Sequence, residues 1–159
     1  MSVLVSAPLW LLLSVLGLAA GLLPRWAELG LGRVFGRAVL ALGFFKRKTA
    51  YDNIRHCFPE LGEDGWKALL ARNFEHYGIL FFEYLHFFSP LPGHYLRYAR
   101  SICVLEGAEH WERARAKGKG VIFVSCHNGF WEMVAAAAGL TGKPLTIVTT
   151  VLKPRWLDR

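Results

Sequence analysis

The sequence predicts an α/β protein in which membrane-associated helices precede an alternating β/α unit with a parallel sheet. Two observations support this class: an uncharged apolar amino terminus, and a second half in which short β-branched runs alternate with helical segments. The predicted elements of that half are a strand at 101–105, a helix at 108–117, a strand at 121–125, a helix at 130–139 and a strand at 145–150. Because helices separate the strands, we expect parallel pairing with right-handed crossovers.

The first predicted element is a transmembrane or membrane-embedded helix over residues 1–24, which carry no charged side chain. Residues 3–23 reach the length of about 20 apolar residues that a helix needs to cross the hydrocarbon of a bilayer. A cleaved signal peptide is the competing interpretation, but a basic start and a clear small-residue cleavage site before Arg25 are missing. A buried or interfacial helix is the third interpretation.

Residues 25–48 form a second, basic segment. Its apolar residues recur at helical spacing, which predicts an amphipathic helix lying against the bilayer. Its cations, opposed only by Glu28, are Arg25, Arg33, Arg37, Lys46, Arg47 and Lys48. The positive-inside rule assigns such a flank to the cytoplasmic side. Gly32 and Gly36 would allow close approach to the first helix. A solvated basic face on a core helix is the alternative.

Residues 49–159 are predicted to form a partial α/β domain that begins with a long helix. From Trp66 to Phe88 apolar side chains follow one helical face, and the second half of this stretch is apolar nearly all round. Such a helix packs in a core or lines an acyl-chain groove. Glu83 stands among aromatic residues and needs a partner, so we interpret it as making a structural hydrogen bond.

Composition limits the classes of partner. Apolar residues make up 53% of the chain, aromatic residues 14%, and the formal charge is +7, which favours a membrane surface carrying anionic lipid over nucleic acid. No helix-turn-helix, zinc-finger or RNP pattern occurs, so we expect no nucleic-acid partner. Three scattered cysteines without C-x-x-C spacing predict free thiols in a reducing compartment and no metal site.

The stretch most suited to chemistry is VIFVSCHNGFWE at residues 121–132, interpreted as a buried strand, a polar corner and a helix start. Five helical residues rotate a side chain by roughly 500°, so His127 and Glu132 meet only if His127 lies on the corner. The carboxylate would then fix the imidazole tautomer and leave the other ring nitrogen to act as a general base. N–H groups near Asn128 and Gly129 would stabilise an oxyanion. From spacing alone, a structural histidine is the more frequent outcome.

The wider context of this corner resembles the central block of the bacterial lipid A biosynthesis acyltransferases. The similar segments are LEGAEH at 105–110, GKGVI at 118–122, HNGFWE at 127–132 and, upstream, the N-x-x-x-x-F-P segment NIRHCFPEL at 53–61. The resemblance implies an O-acyltransferase of the bacterial inner membrane with its catalytic part on the cytoplasmic side. It implies His127 as general base and Glu132 as its orienting partner, with no cofactor beyond the acyl donor.

The substrates implied by the resemblance are a fatty acyl thioester of acyl carrier protein and a hydroxyl of a lipid A precursor or related glycolipid. Lys119 and Lys153 are candidates for attracting the acidic carrier and a phosphorylated headgroup, with solvated surface lysines as the alternative. An acyl-CoA-dependent glycolipid or lysophospholipid acyltransferase, and a non-catalytic membrane-associated interaction protein, stay open. Family members extend well past residue 159, so the resemblance implies a truncated acyltransferase domain that need not be active alone.

Overall fold

The computed structural model describes residues 3–43, 45–126, 128–140, 142, 146 and 148. Contacts divide the chain into two units, Ala7–Pro90 and Leu91–Arg159 together with Met1–Ser6. The helices in chain order are α1 (Val3–Leu22), α2 (Arg25–Ala41), α3 (Arg47–Cys57), α4 (Gly62–Leu85), α5 (His94–Ile102), α6 (Ala108–Arg115) and α7 (Trp131–Leu140). Two short 3-10 turns, Pro59–Leu61 and His86–Phe88, flank α4.

The main packing interaction of the unit Ala7–Pro90 is the crossing of α2 and α4, where the two backbones touch. A methyl group placed on Gly36 would lie 2.1 Å from the carbonyl oxygen of Phe74, and one on Gly78 would lie 2.1 Å from the carbonyl oxygen of Gly32. Small residues permit this approach, as in small-xxx-small helix pairs. The prediction that Gly32 and Gly36 face the first helix was wrong, because their partner is α4.

The predicted helix over 25–48 is divided in two by a tight corner. Helix α2 ends at Ala41, and Phe45 (φ 57°) and Lys46 (φ 62°) take left-handed backbone conformations before α3 begins. The chain reverses there so that Ile54 of α3 packs with Leu70 and Phe74 of α4. Burial of these side chains fixes α3 against the long helix.

The core of the other unit joins α5 to α7. Tyr98 and Ala99 of α5 are buried with Met133 of α7, and partly buried apolar residues surround them. Because Met133 follows Glu132 directly, this core also fixes the helix turn that carries the predicted site carboxylate. Trp111 of α6 stacks on Phe123 with ring centroids 4.8 Å apart.

The prediction of an α/β fold with a parallel sheet was wrong. The described residues contain helices joined by irregular segments and no strand. Residues 121–126 are irregular, with Ile122 and Val124 each 91% exposed, whereas 101–102 belong to the end of α5. A β-branched run favours extended backbone, but a strand is stable only when it is paired, and no paired neighbour lies among the described residues. Most of 145–150 falls outside them.

The helices between the wrongly predicted strands are present. Helix α6 covers most of 108–117 and α7 begins within one residue of the predicted start at 130. The prediction of a transmembrane helix over residues 1–24 is not supported, since no helix among the described residues combines the length and the apolar character that a membrane span requires.

Candidate functional site

The predicted site lies at the corner before α7, which the structure describes on both sides of position 127. The backbone N–H of Asn128 donates to the carbonyl oxygen of Cys126 over 2.9 Å. Gly129 then takes φ +59°, a left-handed conformation that glycine adopts without strain. Trp131 begins the helix, so Glu132 lies in its first turn.

Of the predicted site residues, Asn128, Gly129 and Glu132 lie within five consecutive positions at this corner. Asn128 is exposed and Glu132 is partly buried. Lys119 is exposed and lies in a different segment, the turn that follows α6. His127 and Lys153 lie outside the described residues, so the contact between His127 and Glu132 stays a prediction.

Tyr95 of α5, which the sequence did not single out, lies within electrostatic range of Glu132. Burial raises the pKa of the Tyr95 hydroxyl far above its ordinary value, and the nearby Cys103 and Glu132 raise the pKa further. Tyr95 therefore stays a neutral phenol under physiological conditions. The apolar spacing of Tyr95, Tyr98 and Ile102 along α5 is the signal that could have placed Tyr95 on a buried face, but it contains no information about Glu132.

A second cluster of polar side chains lies in the unit Ala7–Pro90 and is buried. Glu28 of α2 is 2% exposed and His86 is 4% exposed, and the His86 Nε2 lies 3.1 Å from the Glu28 Oε1. The Arg25 Nη1 donates to the Glu28 Oε2 over 2.9 Å, and its Nη2 pairs with Glu83. This ion pair agrees with the structural interpretation of Glu83, and it ties the start of α2 to the end of α4.

The electrostatics of Glu28 follow from its partners. Burial raises the pKa of this carboxyl, but hydrogen bonds from His86 and Arg25 and the Arg25 charge outweigh burial and hold the pKa below its usual range. The carboxylate therefore stays ionised and paired at neutral pH. Because the two acids and His86 are nearly inaccessible, the cluster is suited to holding helices together rather than to contacting a substrate.

The arrangement of potential metal ligands offers no candidate site in the described part of the chain. No three histidine, cysteine or acidic side chains gather there closely enough to hold a metal ion. Cys57, Cys103 and Cys126 form no disulfide bond among the described residues. The groups that the α7 corner presents for chemistry include the Glu132 carboxylate and the Gly129 N–H, whereas the Asn128 N–H already donates to Cys126.

Comparison with known proteins gives two matches. The family model described as bacterial lipid A biosynthesis acyltransferase matches residues 1–159. A relative named lipid A biosynthesis lauroyltransferase, from Escherichia coli (strain K12), is 33% identical over 108 residues, which are 66% of this chain and 34% of the relative. The chain thus spans about a third of the length of that relative. No solved structure matches significantly.

Proposed function

Because the chain belongs to the bacterial lipid A biosynthesis acyltransferase family, we propose that it takes part in moving a fatty acyl chain from an acyl carrier protein thioester to a hydroxyl of a lipid A precursor or related glycolipid. The observation that carries the proposal is the corner of the chain before α7, where Glu132 lies in the first helical turn directly after the turn at Asn128 and Gly129. The predicted base, His127, belongs to the same motif.

The reaction requires one base and one site for developing negative charge. His127, oriented by Glu132, takes the proton of the acceptor hydroxyl as its oxygen attacks the thioester carbonyl. The carbonyl oxygen becomes an oxyanion, for which the Gly129 N–H and the Asn128 side-chain amide are the candidates, because the Asn128 backbone N–H donates to Cys126. Collapse of the tetrahedral intermediate forms the ester and breaks the C–S bond, and the imidazolium returns its proton to the departing thiolate. No acyl-enzyme is needed.

Positively charged side chains are the groups that would attract the acyl donor and the glycolipid. The chain carries a formal charge of +7, and both the acyl carrier protein and a phosphorylated glycolipid are anionic. Lys119, exposed in the turn that follows α6, and Lys153 are the candidates. Cations would also attract an acyl-CoA donor, so charge does not distinguish the two donors, and the acyl-transfer assay must compare them.

We further propose that the protein works at the cytoplasmic face of the bacterial inner membrane. The support is the uncharged character of residues 1–24 followed by the cations of residues 25–48. Exposed apolar side chains in this region, including Trp26 at 78% and Val34 at 65%, are suited to the interfacial zone of a bilayer.

The test is acyl transfer by membranes that contain the chain or its longest genomic reading frame. Acyl carrier protein thioester and lipid A precursor are supplied, with acyl-CoA in a parallel reaction, and mass spectrometry measures the acylated product. We expect His127→Ala to abolish the product, whereas His110→Ala, which alters a histidine whose side chain is 73% exposed, leaves it unchanged. A product that persists in the His127→Ala protein would remove the general-base assignment.

A further inference from the structure

A pocket of about 300 Å³ opens where α2, α3 and α4 meet, within the unit Ala7–Pro90. Its surface is almost entirely apolar, with Val39, Ala50 and Phe74 in the wall, and Lys46, Asn73 and Tyr77 also line it. The volume is at the lower end of the range of about 300–1,000 Å³ that small-molecule pockets occupy. A single flexible hydrocarbon chain is therefore a better fit than a whole lipid or a rigid cofactor.

The mouth of the pocket is formed by the corner between α2 and α3. Phe45 and Lys46, both pocket-lining, are consecutive residues with left-handed backbone conformations, an arrangement that costs conformational energy and is found more often where side chains must be held for binding. Phe45 is 85% exposed and Leu42 is 65% exposed. The corner thus exposes two large apolar side chains next to the opening of the apolar pocket.

Cations adjoin this opening. Lys46 lines the pocket, and Arg47 and Lys48 follow it, all three exposed. The Nζ of Lys48 lies 3.2 Å from Asp52, while Lys46 and Arg47 add two further positive charges at the same corner. Exposed aromatic and apolar side chains next to basic ones are the combination that recognises the interface of an anionic bilayer.

We propose that this pocket binds one acyl chain of an anionic membrane phospholipid, whose phosphate is held by the Lys46, Arg47 and Lys48 corner. The apolar wall accommodates the chain, and the cations at the mouth accept the headgroup at the depth where Phe45 and Leu42 enter the interface. This lipid is a resident of the membrane and not the acyl acceptor. The proposal does not depend on His127, which belongs to the other unit.

The experiment uses a phosphatidylglycerol with a photoactivatable diazirine near the end of one acyl chain, in vesicles that bind the full chain. Peptide mass spectrometry then locates the crosslinks. We expect them in the pocket walls, at 36–50 and 73–78, and we expect much less labelling from the matching phosphatidylcholine probe. Lys46→Gln should lower labelling by phosphatidylglycerol about fivefold, the effect of one cation at an anionic lipid surface, whereas Lys67→Gln, on an exposed pair with Glu63, should not.

A variant that fills the pocket distinguishes binding of the lipid's acyl chain in the pocket from attraction of the lipid to the protein surface. Ala50→Phe places a ring in the pocket and should remove the pocket crosslinks, whereas Ala68→Phe, the same change at an exposed position of α4, should retain them. Circular dichroism checks that both variants fold. Crosslinks spread over the exposed apolar surface of the wild-type chain, equal labelling by both headgroups, or pocket crosslinks that persist in folded Ala50→Phe would each overturn the proposal. If Ala50→Phe does not fold, the wild-type crosslink map decides.

Discussion

Replacing Gly36 with alanine tests the central packing of the helical unit. An ideal Cβ on Gly36 lies 2.1 Å from the carbonyl oxygen and 2.6 Å from the carbonyl carbon of Phe74, whereas ordinary contact begins at 3.4 Å. Both neighbours are backbone atoms, which no rotamer change can move. Helix α4 must therefore shift by more than 1 Å from α2, and the packing of Phe35 on Phe81, whose ring centroids are 4.9 Å apart, is disturbed with it.

The magnitude follows from two opposing effects. Overpacking costs typically 1–3 kcal/mol, and a backbone clash belongs at the upper end, about 3 kcal/mol. Replacing a helical glycine with alanine stabilises the helix by about 1 kcal/mol. Gly36→Ala should thus lower the free energy of unfolding by about 2 kcal/mol. Gly30→Ala, on the same helix with nothing within 4 Å of its Cβ, should raise it by about 1 kcal/mol.

The assay is thermal and urea unfolding of both variants, followed by circular dichroism under identical conditions. A chain of this size should lose about 4–8 °C in Tm for Gly36→Ala and gain about 2–4 °C for Gly30→Ala. Equal stability of the two variants, or a gain in both, would show that α2 and α4 do not cross in backbone contact.

Three further predictions concern charge, turn geometry and ionisation. Glu28→Gln should lower the free energy of unfolding at neutral pH by about 3 kcal/mol, since it breaks a buried pair. Because the pKa of Glu28 is lowered on folding, its stabilising contribution is present above the ordinary pKa of 4.5 and is lost as pH falls through the lower native value. The stability of the variant, measured by urea titrations from pH 7 downward, should therefore depend less on acid than that of the wild type. Gly129→Ala should destabilise by about 1 kcal/mol at φ +59°, measured as Tm against Gly139→Ala in α7, whose Cβ meets no atom within 4 Å; equal Tm values would contradict the turn. Tyr95 should ionise only well above the ordinary tyrosine pKa of 10.0. The difference in ultraviolet absorbance between wild type and Tyr95→Phe should therefore not change through the pH range in which model tyrosines titrate. A change in that range would show that the hydroxyl is not buried.

Periodicity in the sequence predicted the helices and failed on the strands for a physical reason. Apolar spacing of 3.6 residues is a local property of one helix, so α6 and α7 could be placed from the sequence alone. A strand depends on a paired neighbour, and the β-branched run at 121–125 contains no information about whether that neighbour forms. The break between α2 and α3 was missed because left-handed Phe45 and Lys46 are not residues that usually mark a turn.

For the candidate site, the sequence predicted the order of the residues and the helix that follows them, but not the contacts made by residues distant in the chain. The position of Glu132 in the first helical turn after a glycine corner follows from the sequence pattern. The approach of Tyr95 to Glu132 depends on how α5 packs on α7 through Met133, a tertiary contact between residues far apart in sequence. The same holds for the pairing of Arg25 with Glu83, which are 58 residues apart.

The most direct test of the proposed base pair is the rate of acyl transfer as a function of pH for the longest reading frame and its Glu132→Gln variant. If Glu132 orients His127 and stabilises the imidazolium that forms during the reaction, the variant should lose about 10²- to 10⁴-fold in kcat, with its acid limb displaced and its KM for the glycolipid little changed. Glu109→Gln, which alters a glutamate whose side chain is 67% exposed, is the matched control and should keep both constants. A Glu132→Gln enzyme with the wild-type kcat and pH profile would contradict the proposed base pair.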